Sequence, residues 1–351
     1  MSLVRTHQRD ASEAPLEHHI PPAPPVVPSL HSLLAPVRED LDAVSQLLEA
    51  TLQAEVPTAN AVSAYVARTK GKGIRPALVL LAAKATGAVT PEVRSAAAAI
   101  ELVQTSTLLH DDVIDASALR RGMPSVNAQW GNDIAVLMGD VLFTHAISLF
   151  VETGSIPVMR AAARQTRLMI EGEVFARDLR RNPDFREATY FDLIHRKTGA
   201  LMSFAAEVGP LLTGASQATA RHMRSYGALL GAAFQIADDV LDVVGDPSIV
   251  GKPTGQDLRQ GTITLPLIRA IDNATDGDGR RVQDMVLAGI DSDEHWEAVR
   301  QFVSAHEGVE SSLRTAREFA FRAREELAHI LPSPARASLD GMLGYVINRR
   351  I

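Results

Sequence analysis

Three features of the sequence predict an all-α fold. Ala and Leu dominate a chain that is 46% hydrophobic and only 5% aromatic; both are strong helix formers, while the β-branched and aromatic residues that favour strands are not in excess. Apolar residues recur at three- and four-residue spacing over most of the chain, the mark of helices with one buried face. Convincing runs of alternating polar and apolar residues, the mark of half-buried strands, are missing. With 351 residues the chain can bury a sizeable core, as one large domain or two ordinary ones.

Residues 1–28 are expected to form a tail without a catalytic role. The stretch PPAPPVVP from Pro21 to Pro28 favours an extended, solvated backbone. A single domain is expected from residue 29 to residue 351. Its first element is a stripe of Leu33, Leu34, Val37, Leu41, Val44 and Leu48. Helical patterns then run to the C-terminus, over 76–87, 92–116, 131–152, 157–180, 187–214, 217–245 and 263–272. Breaks fall where Gly, Pro and polar residues cluster, at Gly71–Pro76, Gly122–Pro124, Asn182–Pro183 and Asp246–Gly255. No repeat of fixed 20–50-residue period is present.

Composition removes several function classes. Without cysteine there are no disulfides, thiolate metal sites or cysteine nucleophiles. A formal net charge of −7 argues against a dedicated nucleic-acid binder. No continuous apolar run reaches the roughly 18 residues of a membrane helix, and no apolar block follows the scattered N-terminal charges as a signal peptide requires. A cytoplasmic protein is expected.

What recurs, far apart, is a short acidic motif. Asp111, Asp112 and Asp115 stand in LLHDDVID, and Asp238, Asp239 and Asp242 in FQIADDVLD. Both read Asp-Asp-x-x-Asp. On a helix, positions i and i+4 share a face and i+1 lies beside them. Each motif therefore crowds three carboxylates on one helix edge, where like charges cost roughly 0.2–0.5 kcal/mol per pair. The neighbours Leu108, Leu109, Val113, Ile114, Ile236, Ala237, Val240 and Leu241 are apolar, and an unpaired carboxylate is costly to bury. Mg2+ compensates such a cluster: it takes hard oxygen ligands, and it prefers one or two carboxylates together with water and substrate phosphates.

Cations suited to phosphate stand at four places. Lys72 and Arg75 lie in the turn GKGIRP, Arg120 and Arg121 follow the first motif, Lys197-Thr198 lies mid-chain, and Lys252 follows the second motif. Arg grips phosphate oxygens bidentately and Lys supplies a point charge. A Walker loop, GxxxxGK[ST], is absent.

In this ordered set the chain resembles the trans-isoprenyl diphosphate synthases, the polyprenyl synthetase family, over residues 30–351. The matching pieces are GKGIRP (71–76), ELVQTSTLLHDDVIDASALRRG (101–122), MGDVLF (138–143), YFDLIHRKTGAL (190–201), FQIADDVLD (234–242) and GKPTGQDLRQGTITLP (251–266). The resemblance implies a single-domain, all-α bundle around a central cavity, with the two motifs facing each other and three Mg2+ ions between them and an allylic diphosphate. It implies Asp111, Asp112, Asp115, Asp238 and Asp239 as metal ligands, with Asp242 acting directly or through water. Lys72, Arg75, Gln104 and Arg121 would hold isopentenyl diphosphate. Arg120, Lys197 and Lys252 would bind the allylic diphosphate, and Thr198 and Gln235 would flank the developing cation. A homodimer is implied, with transient membrane contact when a greasy product leaves.

Two positions depart from the family pattern. Gly73 stands where a second basic residue is usual, and Thr262 where the family often has Lys, so one diphosphate contact is missing or comes from elsewhere. The expected reaction ionises the allylic C–O bond, adds the isopentenyl double bond to the cation and passes a proton to the departing diphosphate. His110 is expected to make a structural hydrogen bond rather than serve as base, because it lies off the face of Asp111 and Asp115. Ser106 and Thr107, one turn before the first motif, are small and are expected to leave a product tunnel open beyond C20. The alternatives are a shorter C15–C20 product, a class I terpene cyclase, whose second metal motif differs from Asp-Asp-x-x-Asp, and a non-catalytic synthase subunit, which would be free to lose the aspartates.

Overall fold

Pro36 interrupts the first apolar stripe. A short helix α1 (Leu30–Leu34) passes through a 3-10 turn (Ala35–Val37) into α2 (Arg38–Thr51), because proline lacks the N–H that a continuous helix needs and crowds the preceding turn. This computed structural model describes residues 28–68, 71–245, 254–275 and 277–348; the tail up to residue 27 and Lys252 lie outside the described residues. There follow α3 (Pro57–Arg68), α4 (Ile74–Thr86), α5 (Pro91–Ile114), α6 (Val126–Trp130), α7 (Asn132–Glu152), α8 (Ile156–Arg181) and α9 (Glu187–Ile194). A π-helical turn (His195–Gly199) joins α9 to α10 (Ala200–Leu212), and α11 (Gln217–Val244) comes next. The remaining helices are α12 (Gln256–Arg259), α13 (Leu265–Asn273), α14 (Asp278–Ala288), α15 (Asp293–Ala305), α16 (Gly308–Leu327) and α17 (Pro334–Ile347).

The starts of these helices are written locally. Ser155, Ser216 and Ser333 each accept the N–H three residues ahead, and Pro91 and Pro334 occupy the first turn, where no N–H partner is required. The strands among the described residues are a hairpin of two residues each, β1 (Leu119–Arg120) and β2 (Met123–Pro124). Arg121 and Gly122 both have positive φ at its tip, as a tight two-residue hairpin turn requires.

The core centres on α10, in which every residue from Ala200 to Pro210 is buried. It packs between α4, α8 and α11, and α4 is itself sealed from Ala77 to Ala83. α5 lies along α7, and α11 along α16. Both Asp motifs therefore sit at the C-terminal ends of long helices rooted in this core.

One expectation about membranes needs correction. α7 is long and apolar enough to cross a bilayer, although only 39% of its most apolar window is buried. The continuous-run criterion missed it because Asp140, Thr144 and His145 interrupt the run. Its inner face, including Met138, Leu142, Leu149 and Phe150, packs into the core, while Val136, Leu137, Val141 and Val151 are exposed.

Candidate active site

The first motif ends α5, with Asp115 as the C-cap. Unpaired carbonyls give a helix C-terminus negative character, so three carboxylates there need cations. Buried Asp112 accepts from Arg120 Nε at 3.0 Å and also from its Nη2. Asp115 Oδ1 accepts from Arg177 and, at 2.9 Å, from Arg180, both on α8. Burial pushes the Asp115 carboxyl up, but these guanidiniums outweigh it and hold it below the usual range. Asp111 has no such grip: burial, then the nearby Glu173 carboxylate, push it up to about 6, against the pull of Lys197 and Arg120.

The second motif ends α11. Asp239 is buried and accepts from Tyr190 Oη at 2.6 Å and Gln235 Nε2 at 2.8 Å. Burial and the carboxylate of Asp257 push its carboxyl well up, with Asp238 adding to the repulsion. Asp242 Oδ2 accepts from the Asp257 amide at 3.1 Å, and its carbonyl from the Gly255 amide at 2.8 Å.

The π-helical turn joins the two motifs. Its extra residue turns neighbouring side chains to different partners, a device frequent at functional sites. Lys197 Nζ reaches Glu173 of α8 at 2.8 Å, within electrostatic reach of Asp111. The next residue, Thr198, donates to Gln235 Oε1 at 2.6 Å, and Gln235 holds Asp239. α8 comes close enough because residue 172 is glycine: a Cβ there would stand 2.7 Å from Arg196 Cβ and 3.1 Å from the Lys197 amide nitrogen.

The basic turn meets the hairpin beside the first motif. Gly71 packs against the Arg121 guanidinium, and Arg75 and Arg121 both act on Glu101, whose carboxyl burial pushes up against their pull. Gly73 has φ +63°, a left-handed conformation that explains glycine in place of a basic side chain. A cleft of about 790 Å3, counted with its opening to solvent, lies between α2, α3 and α5 and is lined by Glu101, Asp112, Arg120, Arg121, Leu52 and Tyr65. Lys72 is exposed beside it, and Gln104 shares the α5 face of Asp111, two helical turns earlier.

A family model described as polyprenyl synthetase matches residues 56–303. The chain belongs to the polyprenyl synthetase family. The octaprenyl diphosphate synthase of Escherichia coli is 33% identical over 312 residues, 89% of this chain and 96% of that one. A polyprenyl synthase from Caulobacter crescentus, solved with calcium and isoprenyl diphosphate, superposes with a TM-score of 0.87 at 32% identity, covering 93% of this chain and 100% of that chain. A decaprenyl diphosphate synthase from Rhodobacter capsulatus gives 0.86 at 35% identity, over 91% of this chain and 99% of that chain.

This member of the polyprenyl synthetase family, a prenyltransferase, departs from its sequence expectations at the helix before the first motif. Ser106 does not face open space: it is 2% exposed and donates to the Gly139 carbonyl of α7 at 2.8 Å. Thr107 donates to Gln104 O of its own helix. Ser106 thus packs against α7, while Thr107 is half-buried. His110 contacts Val136 O of α7 at 3.1 Å and fills the space a Cβ on Gly139 would need, the structural role expected of it.

Sequence reasoning missed Glu101, Glu173, Arg177, Arg180, Tyr190 and Asp257. The segment EGEVFARDLRR did carry a signal: Glu173 and Arg177 at i,i+4 and Arg180 at i+7 put charges of both signs on one face of a helix.

Among the described residues no three Asp, Glu or His side chains form a ready-made metal cage; Arg120, Arg177, Arg180 and Tyr190 occupy the carboxylates. The donor set nonetheless fits a hard divalent cation. All donors are carboxylate oxygens, and Asp111 and Asp239 are pushed up by burial and by neighbouring carboxylates, repulsion that such a cation relieves.

Proposed function

We propose that this chain condenses isopentenyl diphosphate with an allylic diphosphate, head to tail, to give an all-trans polyprenyl diphosphate longer than C20, in a Mg2+-dependent reaction. One observation carries the reading: Lys197, paired with Glu173, pulls electrostatically on Asp111, and its chain neighbour Thr198 donates to Gln235, which in turn holds Asp239 of the other motif. The names of the octaprenyl and decaprenyl relatives support the long product.

Asp111, Asp112, Asp115, Asp238, Asp239 and Asp242 would hold Mg2+, three ions in the family reading. Magnesium, when bound, supplies Lewis-acid stabilisation of the departing diphosphate. Lys72, Arg75, Gln104 and Arg121 would hold isopentenyl diphosphate beside α5, where Glu101 attracts both Arg75 and Arg121 electrostatically. Arg120, Lys197 and Lys252 would take the allylic diphosphate. Thr198 and Gln235, bonded to each other, would turn oxygen lone pairs toward the developing cation, whose charge such fixed dipoles stabilise without reorganising. Holding both substrates in one geometry removes much of the entropic barrier to C–C bond formation.

A homodimer is part of the proposal. The exposed α7 residues Val136, Leu137, Val141 and Val151 and the exposed Ile170 and Val174 of α8 give an apolar surface of the kind that a second copy covers. We place the enzyme in the cytoplasm, with transient membrane contact as the product leaves.

The test is incubation of the purified chain with labelled isopentenyl diphosphate, an allylic primer and Mg2+. A polyprenyl diphosphate beyond C20, formed only when both substrates are present, is expected. A hydrocarbon or alcohol from the allylic substrate alone indicates a cyclase, and a main product of C15–C20 contradicts the assigned length.

A further inference from the structure

Two arginines of α8 grip the first acidic motif, and one of them also borders a loop that caps the second. Arg177 and Arg180 both donate to Asp115 Oδ1. Two full positive charges thus converge on one carboxylate oxygen. Arg180 Cβ and Cγ also lie 3.9 Å from the point where a side chain on Gly261 would begin. Gly261 closes the loop that starts at Asp257, whose amide caps Asp242 of the second motif, and the Thr262 amide bonds back to Asp257 O at 2.8 Å. Arg180 is therefore a side chain of α8 that grips one motif and borders the loop of the other. Its Nε is shielded from solvent and has no hydrogen-bond partner among the described residues. A buried donor on a cation left in that state is unfavourable unless a further acceptor arrives.

We propose that Arg177 and Arg180 are diphosphate-binding residues, with Arg180 supplying from α8 the cation that Thr262 does not provide. The inference rests on the diphosphate-site reading above. A guanidinium presents a rigid fork of donors that suits two phosphate oxygens at once. Asp115 holds the pair in place before substrate arrives. With Asp115 engaged by a divalent cation, both guanidiniums would be free to take diphosphate oxygens.

The experiment is calorimetric titration of inorganic diphosphate, in saturating Mg2+, into the full-length wild type, Arg177→Gln, Arg180→Gln, Arg180→Lys and the double variant Arg180→Gln/Thr262→Lys, with thermal unfolding of each. Loss of a charge-assisted hydrogen bond weakens binding about tenfold or more. That loss is expected for Arg180→Gln and for Arg177→Gln, with a smaller loss for Arg180→Lys. The lysine at 262 is expected to recover most of what Arg180→Gln loses. If Arg180→Gln shifts the melting temperature but binds diphosphate like the wild type, the arginine only neutralises Asp115 and the inference is overturned. Failure of Thr262→Lys to restore binding overturns the substitution of one cation for the other. Should Arg180→Gln not fold, undiminished affinity in Arg180→Lys overturns the inference in its place. A wild type that binds no diphosphate in Mg2+ overturns the diphosphate-site reading itself, an outcome distinct from wild-type binding that the variants leave unchanged.

Discussion

At the residue scale, the site is an exercise in holding buried carboxylates. Asp112 and Asp115 are satisfied by arginines, but Asp239 relies on two uncharged donors, Tyr190 and Gln235. Tyr190 is itself buried, and its hydroxyl has been pushed far above its ordinary range, by burial first and then by Asp239. It therefore stays protonated and donates. Tyr190→Phe removes that donor and leaves a buried carboxylate oxygen unmatched, which costs about 1–3 kcal/mol. A lower urea midpoint with an unchanged slope is expected. A wild-type midpoint would show that the tyrosine hydroxyl contributes nothing to holding Asp239. Tyr190 was not legible in the sequence. A tyrosine 49 residues before its aspartate partner carries no local pattern, since the pair is created only by packing α9 on α11.

At the element scale, the π-helical turn decides which side chains face which motif. It depends on α8 approaching its backbone at Gly172. Gly172→Ala brings a methyl within 2.7 Å of Arg196 Cβ and 3.1 Å of the Lys197 amide nitrogen, and main chain cannot yield as a flexible side chain does. Such overpacking costs about 1–3 kcal/mol. A lower melting temperature is expected together with a fall in kcat, because Lys197 moves away from Glu173. If both stay at wild-type values, the close approach is not what positions the turn. The long helices were legible to within two residues at most ends: 92–116 became Pro91–Ile114, 157–180 became Ile156–Arg181 and 217–245 became Gln217–Val244. Caps and proline positions are local signals, so they survive folding. The continuous pattern over 187–214 concealed the π-helical turn, because one extra residue within a turn barely alters apolar spacing. The packing of Ser106 against α7 was hidden for a related reason. Its face of α5 was inferred from distance to the motif, whereas the burial of α7 against that face, at Gly139, depends on tertiary packing.

At the scale of the whole molecule, core and site share the same helices: α5 and α11 are rooted in the interior and carry the two acidic motifs at their C-terminal ends. The exposed apolar face of α7 and α8 is where a second copy is proposed to bind. Leu137, 59% exposed on that face, becomes a charged residue in Leu137→Asp. Light scattering after size exclusion is expected to give a dimer mass for the wild type and a monomer mass for the variant; equal masses would contradict the assigned surface. The most direct measurement of the proposed chemistry is Mg2+-dependent turnover of isopentenyl diphosphate with an allylic primer by purified wild type, Asp111→Asn and Asp238→Asn. Each substitution keeps side-chain size while removing one negative charge, one from each motif. Losses of at least about a hundredfold are expected in both variants, on the scale of losing one group that stabilises developing charge. Wild-type turnover in either variant would contradict a shared metal–diphosphate site.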